Sequence, residues 1–577
     1  MRIMTALIAM IALAAGWAGA QAEHLTSIEE YLPADCPTDG SVDLTDACAQ
    51  ALAERCALYF PGSDDPESPR VYAVRAPLET RDGSVLVFGP NTLVRRLPSE
   101  GALFLLGDRC RISGCVIDGN KYEHWPEFPD LGKGDYGILC RSQCVIEDCF
   151  VYNNPGIAFG TWASYSKFVR CRAENVGYID VKFGADYYQG AWDNWSGDGF
   201  YIRGAGNIVR DCEAYDCFRW DLCASHEGAR GNTFVDCRCG DVNWRSYGFV
   251  DIEGAEPDNR LIRCVSPNSR MAVSTPHTQV IDCVAAGFIC HTADYLTLRG
   301  CTATSEGIVL GRQEVEGKEY GGASPIITGN RIFMPQLTGR AAPQALYVRS
   351  EDGAGVVEGN VIYAFEAEDG TRGEAIATVG FETGANQVVY GQWDVAGQFV
   401  PPRLVRGWVD WDHIAQHKLA TFEGELAAAL PGLGIEGDPA WRHIAIGGVP
   451  FALDREDAGV QAQWFLPDNR PNTRNVRVGW PWNRQIGDIY VPGWYFVDFE
   501  VPAEQFGKPA WIYFGGVDSE AVVWLNGERV GEHDVWNEPF SFEVTGKLVA
   551  GTNRLVVRAY TEGGLAGVYK PIAIVVK

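Results

Sequence analysis

Ile208-Val209-Arg210-Asp211-Cys212, Thr233-Phe234-Val235-Asp236-Cys237 and Leu261-Ile262-Arg263-Cys264 are three copies of one phrase: apolar residues, a polar residue or pair, then cysteine. The same phrase stands at Val145-Ile146-Glu147-Asp148-Cys149, Phe168-Val169-Arg170-Cys171, Val280-Ile281-Asp282-Cys283 and Leu298-Arg299-Gly300-Cys301. It begins at Ile112-Ser113-Gly114-Cys115, and later the cysteine becomes asparagine, in Thr328-Gly329-Asn330 and Glu358-Gly359-Asn360. From Cys149 onward the steps are 22, 41, 25, 27, 19 and 18 residues. A period near two dozen, made of short strands and turns, predicts one coil of a solenoid per repeat. Like residues then stack on neighbouring coils, so the cysteines form a column of small apolar thiols and not a set of bridges. Asn207, Asn232 and Asn259, each five residues before the cysteine, predict a second column in which amides bond from coil to coil.

Outward from the repeat, Thr38-Asp39-Gly40-Ser41-Val42-Asp43-Leu44-Thr45 runs into the helical pattern Ala47 to Leu52 and then Leu58-Tyr59-Phe60-Pro61-Gly62. This resembles the capping segment of the pectate-lyase-like superfamily, over residues 36–390. The resemblance implies an all-β fold, a right-handed single-stranded parallel β-helix, and leaves the reaction open, since hydrolases, lyases and epimerases share that scaffold. Beyond it, Val522-Val523-Trp524-Leu525-Asn526-Gly527-Glu528-Arg529-Val530 alternates about an Asn-Gly turn, a hairpin signal. With Trp494 to Pro502 and Gly551 to Arg558 it resembles the galactose-binding-like jelly-roll β-sandwich of β-galactosidases and β-glucuronidases, where the sandwich is accessory. The expected segments are 1–22 signal peptide, 23–390 β-helix with its cap, 391–444 connector and 445–577 sandwich.

Arg2, an uncharged stretch to Trp17 and the small residues Ala18, Ala20 and Ala22 read as a secretory signal, so a secreted or periplasmic protein without a membrane span is expected. The chain carries 48 basic and 75 acidic side chains, net −27, which argues against a nucleic-acid partner.

The longest insertion, Asn175 to Gly197, holds Tyr187, Tyr188, Trp192 and Trp195, rings suited to stacking on a polysaccharide or oligosaccharide. A loop folding its own small core would carry the same rings. Asp198, Asp221 and Asp251 then stand 14, 16 and 13 residues before a ladder cysteine, with Glu253 two residues past Asp251. Stacked carboxylates shift one another's ionisation and supply an acid and a base. Carboxyls on adjacent coils suit a retaining glycosidase and those on next-but-one coils an inverting one. Turn aspartates bonding the backbone are the plainer reading. His226 is a proton-shuttle candidate, and Lys182, Arg203 and Arg245 are candidates to hold a sugar carboxylate or, for Lys182 or an arginine, to act as a lyase base. The expected function is a secreted glycoside hydrolase with no required cofactor. A polysaccharide lyase or uronate C5-epimerase, with Ca²⁺ possible, and a non-catalytic glycan-binding protein are the alternatives.

Overall fold

The computed structural model describes residues 25–577 except 67, 122–134, 178–196, 218, 240–246, 253–255, 268, 291–293, 312, 316–317, 335–343, 368–369, 394, 396–410, 483–490, 536–537 and 562–565. The expected signal peptide lies outside the described residues.

Residues 26–391 build two large parallel sheets, of 13 and 24 strands. In the first, short strands stack one per repeat: Val145–Glu147 pairs with Lys167–Val169, that with Ile208–Arg210, that with Thr233–Val235 and that with Arg260–Ile262. Their middle residues, Ile146, Phe168, Val209, Phe234 and Leu261, form one buried row. Apolar side chains from the second sheet meet that row in the main core. The helix Thr45–Glu54 adds Cys48, Ala51 and Leu52 to the same core near the first strands.

The repeated cysteines are in register. Phe150 pairs with Arg172, Arg172 with Glu213, Glu213 with Arg238, Arg238 with Val265 and Val265 with Val284. The preceding residues, Cys149, Cys171, Cys212, Cys237, Cys264 and Cys283, therefore stand one above another, all buried and all free thiols. The residue before each is bent through the left-handed region, as at Asp148, Arg170, Asp211, Asp236, Arg263 and Asp282. The thiol then caps the bend. Cys212 Sγ accepts the Cys171 amide and Cys283 Sγ the Cys264 amide, each at 3.4 Å. Asn330 Oδ1 does the same for Cys301 at 2.8 Å, and Asn360 Oδ1 for Asn330 at 3.0 Å. Thiol and amide thus exchange along the chain because each offers an acceptor at one buried N–H. Burial in an apolar column pushes the Cys149, Cys212, Cys237 and Cys283 thiols up, so they stay protonated. The second column also forms: Asn207 Oδ1 accepts from the Ser166 amide, Asn232 Oδ1 from Asn207 and Asn259 Oδ1 from Asn232.

The C-terminal unit pairs a four-stranded and a six-stranded antiparallel sheet about the core of Phe451, Tyr495, Ile512, Val523, Val557 and Ile574. Asn526 and Gly527 both have positive φ, +52° and +85°, the backbone of a two-residue type I′ hairpin. The helix Trp411–Ala429 is a third layer: Phe422 and Leu426, with Leu430 and Ile435 beyond, pack on Tyr513, Ala573 and Val575. Lys570 Nζ binds Glu425 at 3.0 Å. The segment read as a connector thus supplies part of the second unit's packing.

The expected fold class, all-β with a right-handed single-stranded parallel β-helix and a jelly-roll, is corrected accordingly. The described residues form two large parallel sheets of unequal strand number, a docked α-helix and an antiparallel two-sheet sandwich. A sequence period supplies the repeat but neither the division into sheets nor the helical layer. No helix among the described residues is long and apolar enough to cross a membrane.

Candidate active site

Residues 122–134, 178–196 and 240–246 lie outside the described residues; the strands that precede them, Val116–Asp118, Arg172–Val176 and Arg238–Cys239, belong to one parallel ladder of the second sheet. Lys121, fully buried, joins the ends of the first two: its Nζ donates to Asn175 Oδ1 at 2.8 Å and to the Gly177 carbonyl at 2.7 Å. The strands Tyr136–Cys140, Ile157–Thr161, Phe200–Ile202, Leu222–Ser225 and Tyr247–Ile252 pair successively. Asp198 and Asp221 sit at the bends just before two of them and are fully buried. Phe200 pairs with Leu222, so Asp221 lies opposite Gly199, one residue from Asp198 on the neighbouring strand.

Arg219 makes this bend ionic. Its Nε lies 3.1 Å from Asp198 Oδ1, and its Cζ lies 3.6 Å from the Trp220 ring centroid and 5.7 Å from that of Tyr201. A guanidinium between a carboxylate and an aromatic face offsets the cost of burying both charges. Around it, Tyr136, Ile157, Tyr201, Trp220 and Cys223 make a small apolar cluster distinct from the main core. Burial pushes the Tyr136 hydroxyl up to about 12, against a hydrogen bond from Trp162 Nε1 at 3.1 Å that lowers it; the Asp198 charge raises it further. Tyr201 is raised by burial in the same way, with Cys223 and Asp198 adding to it. His226 is half-buried at a left-handed turn, φ +69°, with its ring edge-on to Tyr201 at 6.0 Å. Arg203 stacks on Trp162, Cζ to centroid 5.4 Å.

The structure therefore sets Asp198 and Asp221 on neighbouring strands, with His226 against Tyr201 and Arg203 against Trp162. It does not put the three aspartates in one column. Phe200, Leu222 and Phe249 are aligned, and Asp198 is two residues before that row, Asp221 one before and Asp251 two after. The spacing to the cysteine hid this stagger, because it counts through turns of unequal length. Asp251 is in register with Ala224 and Val273, both fully buried in the main core, while its side chain lies outside the described residues. Glu253, Lys182, Tyr187, Tyr188, Trp192, Trp195 and Arg245 also lie outside them.

Sequence reasoning missed a second charged group on the adjoining strands. Arg172 binds Glu174 and lies 3.7 Å from Glu213 across the ladder, all three buried, with Phe150 and Tyr215 rings 5.2 and 5.6 Å from the guanidinium. The available signal was alternation. Ala173 and Ala214 enter the core, so Arg172, Glu174, Glu213 and Tyr215 point away from it. Asp135, at the bend before Tyr136–Cys140, was missed too; it is buried 3.3 Å from Arg96 and accepts the Gly101 amide at 2.6 Å. Among the described residues no group of three or more histidine, cysteine or acidic side chains is arranged to hold a metal ion.

Comparison with known proteins places one part of this chain. Residues 446–563 match the model of the glycosyl hydrolases family 2 sugar binding domain. A β-galactosidase of Priestia megaterium is 30% identical over 118 residues, 19% of this chain and 11% of that protein. A β-galactosidase of Clostridium acetobutylicum is 40% identical over 76 residues, 13% of this chain and 8% of that protein. The chain thus spans about a tenth of the length of the curated relatives it matches. A β-glucuronidase structure from Ruminococcus gnavus aligns with 25% of this chain and 29% of its own, at 18% identity and TM-score 0.23. The expected recognition paired a pectate-lyase-like right-handed β-helix over residues 36–390, a pectin-lyase fold, with a galactose-binding-like sandwich resembling that of β-galactosidases and β-glucuronidases; it is corrected, because the likeness found is to the sugar binding domain of family 2 glycosyl hydrolases, over residues 446–563.

Proposed function

We propose that this is an exported glycoside hydrolase acting on a polysaccharide or oligosaccharide. The observation that carries the reading is the bend where buried Asp198, paired with Arg219, meets buried Asp221 on the next strand. Glycosidic hydrolysis needs a proton donor at the leaving oxygen and a second carboxylate that attacks the anomeric carbon or activates water. Arg219 stabilises the charge of Asp198, which suits it to the second role and leaves Asp221 as donor. The match of residues 446–563 to a sugar binding domain supports a carbohydrate partner.

The test is a panel of purified polysaccharides. Release of reducing ends without absorbance at 235 nm is expected. A rise at 235 nm marks an unsaturated, eliminative product and replaces hydrolysis by a lyase. Binding without turnover removes the enzyme reading altogether.

A further inference from the structure

Trp162 and Tyr165 are among the most exposed large rings of the described residues, 60% and 64% accessible, and both belong to the turn between the strands Ile157–Thr161 and Lys167–Val169. Exposed aromatic side chains are usually free to turn. These two are held. Trp162 Nε1 donates to Tyr136 Oη at 3.1 Å, and the Arg203 guanidinium lies against the indole. Tyr165 has a left-handed backbone, φ +65°, and its ring lies across Gly206 of the next turn so closely that a Cβ there would come within 2.8 Å of it.

The two turns are fastened together beneath the rings. The Arg203 amide donates to the Thr161 carbonyl at 2.9 Å and the Tyr165 amide to the Ala205 carbonyl at 3.0 Å. The Ala205 amide donates to Ser164 Oγ at 3.1 Å, and Asn207 Nδ2 to the Ala163 carbonyl at 3.1 Å. A Cβ on Gly204 would fall 1.8 Å from the Ala163 carbonyl oxygen, so glycine is what lets the turns approach. The result is a rigid ledge carrying two fixed rings. Through Tyr136 the ledge is continuous with the cluster around Asp198 and Arg219.

We infer that Trp162 and Tyr165 form a stacking subsite for successive pyranose rings of a glycan chain that runs toward Asp198. This rests on the reading of that bend as a carbohydrate site. Pre-orientation matters because a ring already fixed loses little freedom when a sugar covers it. An indole or phenol face meets the apolar C–H face of a pyranose, while its polar edge stays bonded to the protein. The rings are three residues apart, at most about 11 Å of chain, which suits two neighbouring sugar units better than one.

Affinity electrophoresis in native gels containing galactan, xylan, alginate or polygalacturonate tests the ledge without requiring catalysis. The wild-type chain should be retarded by at least one of the four. In that gel Trp162→Ala and Tyr165→Ala should each weaken binding about tenfold, with Trp162→Phe in between and thermal melts unchanged, since both side chains are mostly exposed. Unaltered retardation of Trp162→Ala and Tyr165→Ala overturns the inference, and so does a wild type that none of the four retards. Retardation lost with Trp162, in a protein that hydrolyses nothing, keeps the ledge and discards the hydrolase. Hydrolysis that survives with Trp162→Ala fully retarded keeps the hydrolase and discards the ledge.

Discussion

Arg219→Met is the most informative single change, because Arg219 and Asp198 are both buried and 3.1 Å apart. Methionine keeps most of the packing against Trp220, whose ring lies 3.6 Å from the guanidinium carbon, and removes the charge. Asp198 then remains as a buried carboxylate without this counter-ion. Breaking one side of a buried pair costs about 3–5 kcal/mol, whereas losing an exposed pair costs about 0–1 kcal/mol. The loss should be recovered in large part when Asp198→Asn is added, since replacing both partners removes the stranded charge. Urea unfolding of the wild type, the two single variants and the double variant gives the coupling energy directly. A value of about 2 kcal/mol or more is expected. A coupling below about 1 kcal/mol, the level of a solvated pair, would refute the buried ionic bend and remove the reason for giving Asp198 the charged role.

Four further outcomes are expected. Asp221→Asn should lower turnover on a cleaved polysaccharide by about 10² or more with an unchanged melt, and full turnover would take Asp221 out of the chemistry. Alkylation of the unfolded chain followed by mass mapping should find Cys212, Cys237 and Cys264 as free thiols, and all three in disulfides would contradict the column. A fragment of residues 411–577 should melt cooperatively and above one of 437–577, which keeps the strand Trp441–Ala445 but lacks Phe422, Leu426 and Leu430, each worth about 1.5–3 kcal/mol of burial; equal melts would mean the helix adds nothing. His443, stacked between Trp441 and Phe499, has its ionisation lowered by burial. The unfolded chain therefore binds more protons, so stability is full above the unfolded value near 6.5 and falls as pH drops through the folded one. His443→Phe should flatten that acid-side loss in the 411–577 fragment, and an unchanged pH profile would count against it.

What could be read from the sequence was whatever one residue per repeat decides. Cys171, Cys212 and Cys237 each follow a residue in the left-handed region, and at Cys171 and Cys264 the next repeat's thiol caps the buried amide, so chemistry at a single position recurs and is visible as a column. Asn330 and Asn360 take over the task by the same geometry, which is why the later asparagines belonged to the pattern. Sheet membership was not legible in this way, because it depends on where each bend falls and not on the period. Residues 391–444 read as a connector, and nothing in them says that Phe422 and Leu426 meet Tyr513, Ala573 and Val575, more than 80 residues downstream.

The site was harder for a related reason. Counting from the ladder cysteine made Asp198, Asp221 and Asp251 look equivalent, yet their strands start at different points. The bend therefore unites the first two and sets Asp251 in register with core residues Ala224 and Val273. Arg219 stands beside Trp220 in sequence, but its charged partner is 21 residues earlier in the chain. Glu174 and Glu213 were hidden in the opposite way. Each is an ordinary alternating polar residue in sequence, and only the parallel register Arg172–Glu213 shows that consecutive repeats set a cation against an anion at one level. In stacked sheets, a residue's chemistry is decided by its neighbour one repeat away, and alignment on the nearest bend, rather than on the ladder cysteine, identifies that neighbour.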